Sequence, residues 1–236
     1  MTKKAPSLSI IVPVYNERHR ILSGIKKARD LKRQWLGECE ILVVDDGSTD
    51  DCTALLDDED VTIFSLPHLG KGAAVAQGML KADGERVLFT DVDWSVPVED
   101  VISMLELNDD LVIASREISG ARRLGEPPWR HLVGKAFNRW VQWTLLSGYA
   151  DTQCGCKIFS RRASQAIFSL VKEPGWAFDV EVLVLAHLLG FKVREFPVFW
   201  QYKANSKIQI VRDGINMSRA VLRIKRRLLQ KSYTAS

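Results

Sequence analysis

Two aspartates separated by one residue follow an apolar segment near the middle of the chain. Asp91 and Asp93 come directly after residues 86–90, in which Val, Leu and Phe are consecutive. Such a segment predicts a buried strand of a parallel sheet, and ligands bind at the carboxyl edge of such sheets. Two carboxylates at this edge can bind a hard cation, Mg2+ or Mn2+, that neutralises a diphosphate. A solvated turn or a helix cap is the alternative interpretation of the same residues.

Polar residues also follow the first two predicted strands. Pro13 and Tyr15 can offer an apolar wall to a flat base, and Asp45 can accept a hydrogen bond from a base imide. We interpret Asn16 and Ser48 as helix caps, because their residue types and spacing match capping positions.

A third motif, Gly70-Lys71-Gly72, opens a predicted helix. Backbone N–H groups at a helix N-terminus attract anions, and a lysine there adds a positive charge. We therefore predict that this turn faces a phosphate or the base.

Strands and helices alternate in the first half of the chain and must position these motifs. The sequence predicts strands at residues 8–13, 40–44, 61–64, 86–90 and 111–114, and helices near 17–33, 50–57, 70–82 and 97–107. This alternation predicts an α/β fold with a Rossmann-like, mostly parallel sheet flanked by helices. Because consecutive strands of such sheets are usually neighbours, we expect the motifs to meet at one edge.

The second half of the chain has a different pattern. It predicts helices near 128–147, 161–171 and 177–190, strands at 157–159 and 193–200, and a basic amphipathic helical tail from about residue 211. Residues 120–128, with their glycines, prolines and arginines, are predicted to form a loop. The length of 236 residues suits a single domain.

Charge is unevenly distributed between the two halves. Residues 1–115 contain 12 Lys and Arg against 21 Asp and Glu, net −9, and residues 116–236 contain 21 against 8, net +13. A basic half implies an anionic partner, which can be nucleic acid, anionic lipid or a phosphorylated substrate. No segment reaches the ~20 apolar residues of a membrane span, and the N-terminus lacks a signal-peptide core. We therefore predict a cytosolic protein.

Four motifs of the first half, in their order and spacing, resemble those of family 2 glycosyltransferases with the GT-A fold. They are Pro13-Val14-Tyr15-Asn16-Glu17, Asp45-Asp46-Gly47-Ser48-Thr49-Asp50, Gly70-Lys71-Gly72 and Asp91-Val92-Asp93. The coincidence of four motifs over most of the first 115 residues is far more specific than any one of them.

Motifs of the second half are similar to those of the polyprenyl-phosphate branch, above all the dolichyl-phosphate β-glucosyltransferases. They are Asp93-Trp94-Ser95-Val96-Pro97, residues 151–159, Trp176-Ala177-Phe178-Asp179-Val180-Glu181, and Trp200 followed by Ser206-Lys207. Cys156 stands where an aromatic residue is usual in this branch, and Asn205 where glycine usually precedes Ser-Lys. Members often carry membrane spans, and this chain shows none.

The resemblance implies a metal-dependent, inverting enzyme that transfers a hexose, glucose, from a nucleotide sugar, UDP-glucose, to a polyprenyl or dolichyl phosphate. Residues 7–116 would bind the nucleotide sugar, residues 117–210 the acceptor, and residues 211–236 would form the basic tail. The alternatives are a mannosyltransferase using GDP-mannose, a family 2 enzyme with a soluble acceptor, and a nucleic-acid-binding module. We expect no nucleic-acid partner, and the oligomeric state stays open.

The resemblance also implies roles for individual residues. The implied catalytic residues are Asp93, Asp179, Lys207 and Arg116, and the implied ligands of Mg2+ or Mn2+ are Asp91 and Asp93. Lys207 and Arg116 would stabilise the leaving diphosphate. Asp179, or Glu181 as the alternative, would act as a base for a hydroxyl acceptor. The implied substrate-binding residues are Pro13, Tyr15, Glu17, Asp45, Lys71, Asp91 and Gln153.

Two helical segments of the basic half combine apolar and basic residues. Trp129, Trp140 and Trp143 lie close in sequence to Arg130 and Arg139. Trp and Arg on one helix face suit a bilayer interface, although helical spacing also predicts packing on the core. The tail has an apolar and a basic stripe, so it can lie on anionic lipid or pack on the domain. The stripes are Met217, Val221, Ile224 and Leu228, and Arg219, Arg223 and Arg226. We predict a peripheral protein on the cytosolic face of a membrane.

Overall fold

A computed structural model of the chain describes residues 6–56, 59–203 and 210–233. Its strands are β1 (Leu8–Val14), β2 (Cys39–Asp45), β3 (Val61–Ser65), β4 (Arg86–Thr90), β5 (Leu111–Ser115), β6 (Arg122–Leu124), β7 (Cys156–Ser160), β8 (Val193–Pro197) and β9 (Phe199–Gln201). Its helices are α1 (Ile21–Gln34), α2 (Lys71–Lys81), α3 (Val98–Leu105), α4 (Pro128–Thr144), α5 (Arg161–Phe168), α6 (Phe178–Leu188) and α7 (Ile210–Leu229).

The central sheet contains seven strands in the order β3-β2-β1-β4-β7-β5-β8. Strand β7 runs antiparallel to β4 and β5, and the other neighbouring strands are parallel. This sheet and its flanking helices confirm the predicted α/β fold. Because β7 is antiparallel, its first residue, Cys156, lies opposite Thr90 at the edge where β4 ends. Residues before β7 therefore reach the same edge as the aspartates after β4.

Both faces of the sheet are covered by helices, which explains the continuous apolar runs of its strands. Every residue of β1 and β5 is buried. One core contains apolar residues of α1 and α3, and the other contains residues of α2, α5, α6 and α7. Residues 178–186 of α6 are all buried, so the helix lies inside the domain, and Asp179 and Glu181 are buried with its apolar residues.

Two local predictions are wrong. In place of the helix expected near 50–57, the described residues form only a 3-10 turn at Thr53–Leu55. The Asp50 carboxylate accepts hydrogen bonds from the backbone N–H groups of Arg18 and Cys52, which compete with helix formation. The loop expected at 120–128 contains β6, which pairs with β9 in a separate two-stranded sheet. That pairing joins residues distant in sequence, so local composition does not predict it.

The tail forms the amphipathic helix α7, as predicted, and its apolar stripe packs on the domain. Ala220, Val221 and Ile224 are buried, whereas Leu222 and Leu229 are exposed. Any membrane contact by α7 must therefore use the opposite face of the helix. Within the described ranges, no helix is both long enough and apolar enough to cross a bilayer.

Candidate active site

A cavity of about 600 Å³ opens at the carboxyl edge of the central sheet. It lies where β1, β4 and β5 end and where the chain enters β7. The predicted site residues that line it are Pro13, Tyr15, Glu17, Lys71, Asp91, Asp93, Arg116, Gln153 and Asp179. Asp45 does not line this cavity, and Lys207 lies outside the described residues. The sheet edge thus brings together most of the residues selected from the sequence.

The two aspartates after β4 are held by a tight turn. The N–H of Trp94, whose φ is 48°, donates to the carbonyl of Asp91 at 3.0 Å. Asp93 accepts hydrogen bonds from the backbone N–H and hydroxyl of Ser95 through one carboxylate oxygen, Oδ1. Burial, and then the neighbouring Asp91 carboxylate, raises the pKa of Asp93. This pair favours a cation that would relieve the repulsion between the two carboxylates.

The donor set fits a hard divalent cation bound together with a substrate phosphate. Among the described residues, no group of three or more His, Cys, Asp or Glu side chains could hold a metal by itself. Mg2+ commonly uses one or two carboxylates and completes its coordination with water and phosphate oxygens. Gly155 leaves space beside the pair, because a Cβ there would come within 2.0 Å of Asp91 Oδ2. Asp91 and Asp93 are therefore suitable ligands for Mg2+ or Mn2+.

Lys71, the first residue of α2, contacts Asp91. Its Nζ lies 2.6 Å from Asp91 Oδ1 and 4.7 Å from the centre of the Trp176 ring. Burial lowers the pKa of Lys71, but Asp91 and Asp179 raise it more, so the side chain stays charged. A fixed ammonium beside the aspartates can bind a phosphate.

Asp179 lies in the first turn of α6 and is buried against a lysine that the sequence analysis missed. Lys157, in β7, is 1% exposed and donates to the Asp179 carboxylate and, at 2.8 Å, to the carbonyl of Cys154. Burial raises the pKa of Asp179, against the opposing effects of Lys157 and Lys71. Lys157 could have been noticed as the only cation within an otherwise apolar predicted strand, at residues 157–159.

Arg116, just after β5, is held by Asp151. Its Nε and Nη2 donate to the two carboxylate oxygens at 2.6 and 2.9 Å, and its guanidinium lies over the Trp200 ring. Burial raises the pKa of the Asp151 carboxyl, but the charge and hydrogen bonds of Arg116 lower it more, to about 2. The arginine is therefore a fixed, charged part of the cavity wall.

The wall near the end of β1 is aromatic. Tyr15 stacks on His68, with ring centres 4.1 Å apart and an angle of 14° between the rings. His68 Nδ1 lies 2.9 Å from Asp46 Oδ2, and Asp46 also accepts from the N–H groups of Leu69 and Gly70. Both His68 and Asp46 line the cavity, and neither was predicted as a site residue, although Asp46 lies in the motif at residues 45–50. A flat base can stack against this wall.

The helix-cap interpretation of Asn16 and Ser48 is wrong. Asn16 has φ 52° and precedes Arg20, the cap residue of α1, by four positions. Its N–H donates to the Ser48 hydroxyl, and the Ser48 hydroxyl and N–H donate to Asp45 Oδ1. These bonds join the loops after β1 and β2, a tertiary contact that local spacing does not reveal. Recognition of the base by Asp45 stays a prediction.

Comparison with known proteins gives the family of this chain. Residues 9–168, more than half of the chain, match the family described as Glycosyl transferase family 2. The chain belongs to this family. It is 32% identical to the dolichyl-phosphate beta-glucosyltransferase of Dictyostelium discoideum, over 94% of this chain and 75% of that protein. It is 30% identical to glycosyltransferase AglD of Haloferax volcanii, over 94% of this chain and 37% of that protein.

A solved structure shares the fold. Glucosyl-3-phosphoglycerate synthase from Mycobacterium tuberculosis, in complex with Mn2+, UDP and phosphoglyceric acid, superposes with a TM-score of 0.70 at 21% identity. The superposition covers 98% of this chain and 80% of the synthase. The predicted GT-A fold is therefore confirmed. The predicted enzyme class, a glycosyltransferase, is confirmed by the family match.

Proposed function

We propose that this glycosyltransferase transfers glucose from UDP-glucose to a polyprenyl or dolichyl phosphate, with inversion, using Mg2+ or Mn2+ at the cytosolic face of a membrane. One observation carries the proposal: Asp91, Asp93 and Lys71 meet in one cavity in a chain related to dolichyl-phosphate beta-glucosyltransferases. The similarly folded synthase, in complex with Mn2+ and UDP, gives further support.

The donor would occupy the part of the cavity between the aromatic wall and the aspartates. Tyr15 and His68 offer a surface for the uracil base. Asp91 and Asp93 would hold the cation, which when bound neutralises the charge that develops on the departing diphosphate. Lys71 adds a permanent charge at the same place. Together these groups favour departure of UDP.

The acceptor phosphate would face the cations of the second half. Arg116, Arg130 and Lys203 line the same cavity, and Arg130 lies over the Tyr202 ring. Nε2 of Gln153 is buried without a hydrogen-bond partner among the described residues, so a substrate oxygen there would satisfy it. A phosphate monoester is already ionised near neutral pH. It can therefore attack the anomeric carbon without a base, and a single displacement inverts that carbon.

The membrane surface would be met by α4 and the outer face of α7. Leu132 is 70% exposed and Trp143 is 85% exposed, whereas Val141 on another face of α4 is buried. The helix therefore has a second apolar face that the domain does not cover. Apolar and aromatic residues beside Arg139, with Arg219 on α7, suit an anionic bilayer interface.

The decisive experiment incubates the purified protein with one donor, UDP-glucose or GDP-mannose, and one acceptor. The acceptor is either polyprenyl phosphate in liposomes or a soluble phosphorylated compound. We expect a lipid-linked glucose product with Mg2+ or Mn2+ and none with EDTA. Preference for GDP-mannose would favour the mannosyltransferase alternative. Transfer only to soluble acceptors would refute the lipid acceptor, and unchanged transfer in EDTA would refute the metal.

A further inference from the structure

Two buried glutamates outside the cavity have no role in the proposed chemistry. Glu173 is 2% exposed and Glu181 is fully buried. We call them the glutamate pair. Burying two negative charges side by side is costly unless they are paired and hydrogen-bonded. Their partners therefore show which parts of the chain the pair connects.

The charge partners of the glutamate pair come from the tail. Arg223 donates to both carboxylate oxygens of Glu173, at 3.1 and 2.7 Å. Arg227 bridges the pair, 2.8 Å from Glu173 Oε1 and 3.1 Å from Glu181 Oε1. The hydroxyl of Tyr233 donates to the same Glu181 oxygen at 2.6 Å. These bonds attach the C-terminal half of α7, and Tyr233 beyond its end, to the pair.

The other side of the glutamate pair holds the segment that leads to Trp176. Glu181 Oε2 accepts from the backbone N–H groups of Lys172 and Glu173, at 2.8 and 2.7 Å. Hydrogen bonds from two successive backbone N–H groups to one carboxylate oxygen fix the direction of this backbone. The position of residues 172–176 therefore depends on the same carboxylate that the tail neutralises.

Residues 172–176 pack directly against the turn that carries Lys71. The N–H of Ala73 donates to the carbonyl of Pro174 at 3.2 Å. The approach is so close that a Cβ on Gly72 would come within 2.4 Å of the Glu173 carbonyl. Any shift of the segment is thus transmitted to the start of α2, whose first side chain contacts Asp91.

We propose that three tail residues are positioning residues for Lys71 and act through the glutamate pair. They are Arg223, Arg227 and Tyr233. The inference rests on the proposed function, because it treats the contact between Lys71 and Asp91 as part of the UDP-glucose site. The tail is then part of the donor site, although among these three residues none lines the cavity.

The test uses the full chain and two substitutions with a matched control. Tyr233→Phe removes one hydroxyl and keeps the buried ring, and Arg227→Met removes the bridging cation. Lys225→Met is the control, because Lys225 is an exposed cation of the same helix. We measure UDP affinity by calorimetry with Mn2+, hydrolysis of UDP-glucose without acceptor, and thermal unfolding. Both test variants should lose about tenfold or more in kcat/KM, since a misplacement of about 1 Å can cost about 10²-fold. The control should match the wild type.

Two further measurements separate positioning from general stability. In a Lys71→Met background, Tyr233→Phe should cause no additional loss of UDP affinity, because both changes remove the same contact. Amide hydrogen exchange at residues 70–76 should be faster in Tyr233→Phe than in Lys225→Met. This exchange is read without nucleotide, so it tests the coupling even in an enzyme that does not use UDP-glucose.

The outcomes are distinct for the two proposals. A wild-type enzyme without UDP binding or UDP-glucose turnover refutes the proposed donor, whereas the exchange data still decide the coupling. The positioning role is refuted by additive losses in the Lys71→Met background. It is also refuted when Tyr233→Phe and Arg227→Met lower the melting temperature but keep wild-type affinity, rate and exchange.

Discussion

Replacing Asp151 by asparagine should destabilise the fold by an amount that depends on pH. The carboxylate is 4% exposed and accepts from the N–H, Nε and Nη2 of Arg116 and from the N–H of Gln153. A carboxyl whose pKa falls from 3.8 to about 2 on folding contributes about 2 kcal/mol of stability at neutral pH. Asp151→Asn keeps the shape of the side chain but removes this contribution. Because the variant also leaves the Arg116 charge without its partner, the loss at pH 7 should be about 2–5 kcal/mol.

The sign of the pH dependence follows from the lowered pKa. The contribution is fully present above pH ~4 and is lost as the pH falls toward 2, because Asp151 becomes protonated in the folded state as well. Urea unfolding of wild type and variant at pH 7, 5 and 3 measures the difference, which should shrink by about 1 kcal/mol between pH 5 and pH 3. Asp60→Asn is the control, since its pair with Arg29 is far less buried, with 34% and 37% of the two side chains exposed, and should be worth at most about 1 kcal/mol.

A charged pair of Arg116 and Asp151 is refuted if Asp151→Asn costs no more than Asp60→Asn at pH 7. The pair is also refuted if the free energies of unfolding of wild type and Asp151→Asn differ by the same amount at pH 3 as at pH 7. Either result would mean that Arg116 and Asp151 do not form a charged pair in the folded protein. The fixed position of Arg116 in the cavity wall would then have to be given up.

Three further predictions concern the metal, the space beside it and the membrane. Asp93→Asn should lower metal-dependent turnover of UDP-glucose roughly 10²–10³-fold with an unchanged melting temperature, and near-normal turnover would remove Asp93 from the metal site. Gly155→Ala should weaken UDP affinity in Mn2+ about tenfold or more, because its Cβ would displace Asp91; calorimetry showing wild-type affinity would contradict that geometry. The double change Leu132→Ser and Trp143→Ser should abolish flotation with anionic liposomes, at ~1.5–3 kcal/mol for each buried apolar side chain, while UDP-glucose hydrolysis continues; undiminished flotation would exclude this face of α4.

Much of the fold and of the site follows from the sequence alone. The buried strands around Val12, Val43 and Leu88 appear as continuous apolar runs, since both faces of the sheet are covered. The residues directly after such strands lie at the carboxyl edge whatever the strand order, because strand direction fixes where each strand ends. For this reason Tyr15, Asp91, Asp93 and Arg116 could all be assigned to one cavity before the strand order was known.

Other features depend on contacts between residues far apart in the chain, and only the tertiary structure decides them. The antiparallel insertion of β7 places Lys157 beside Asp179, and the stack of Tyr15 on His68 joins two loops. The tail shows this most clearly. Its periodicity predicts an amphipathic helix, but it does not decide whether that helix lies on a bilayer or packs on the domain. Packing buries Val221 and brings Arg223 and Arg227 into contact with the glutamate pair. The physical reason is that helical periodicity depends on the residues of one helix only. Which surface covers its apolar stripe depends on the shape and charge of other parts of the chain.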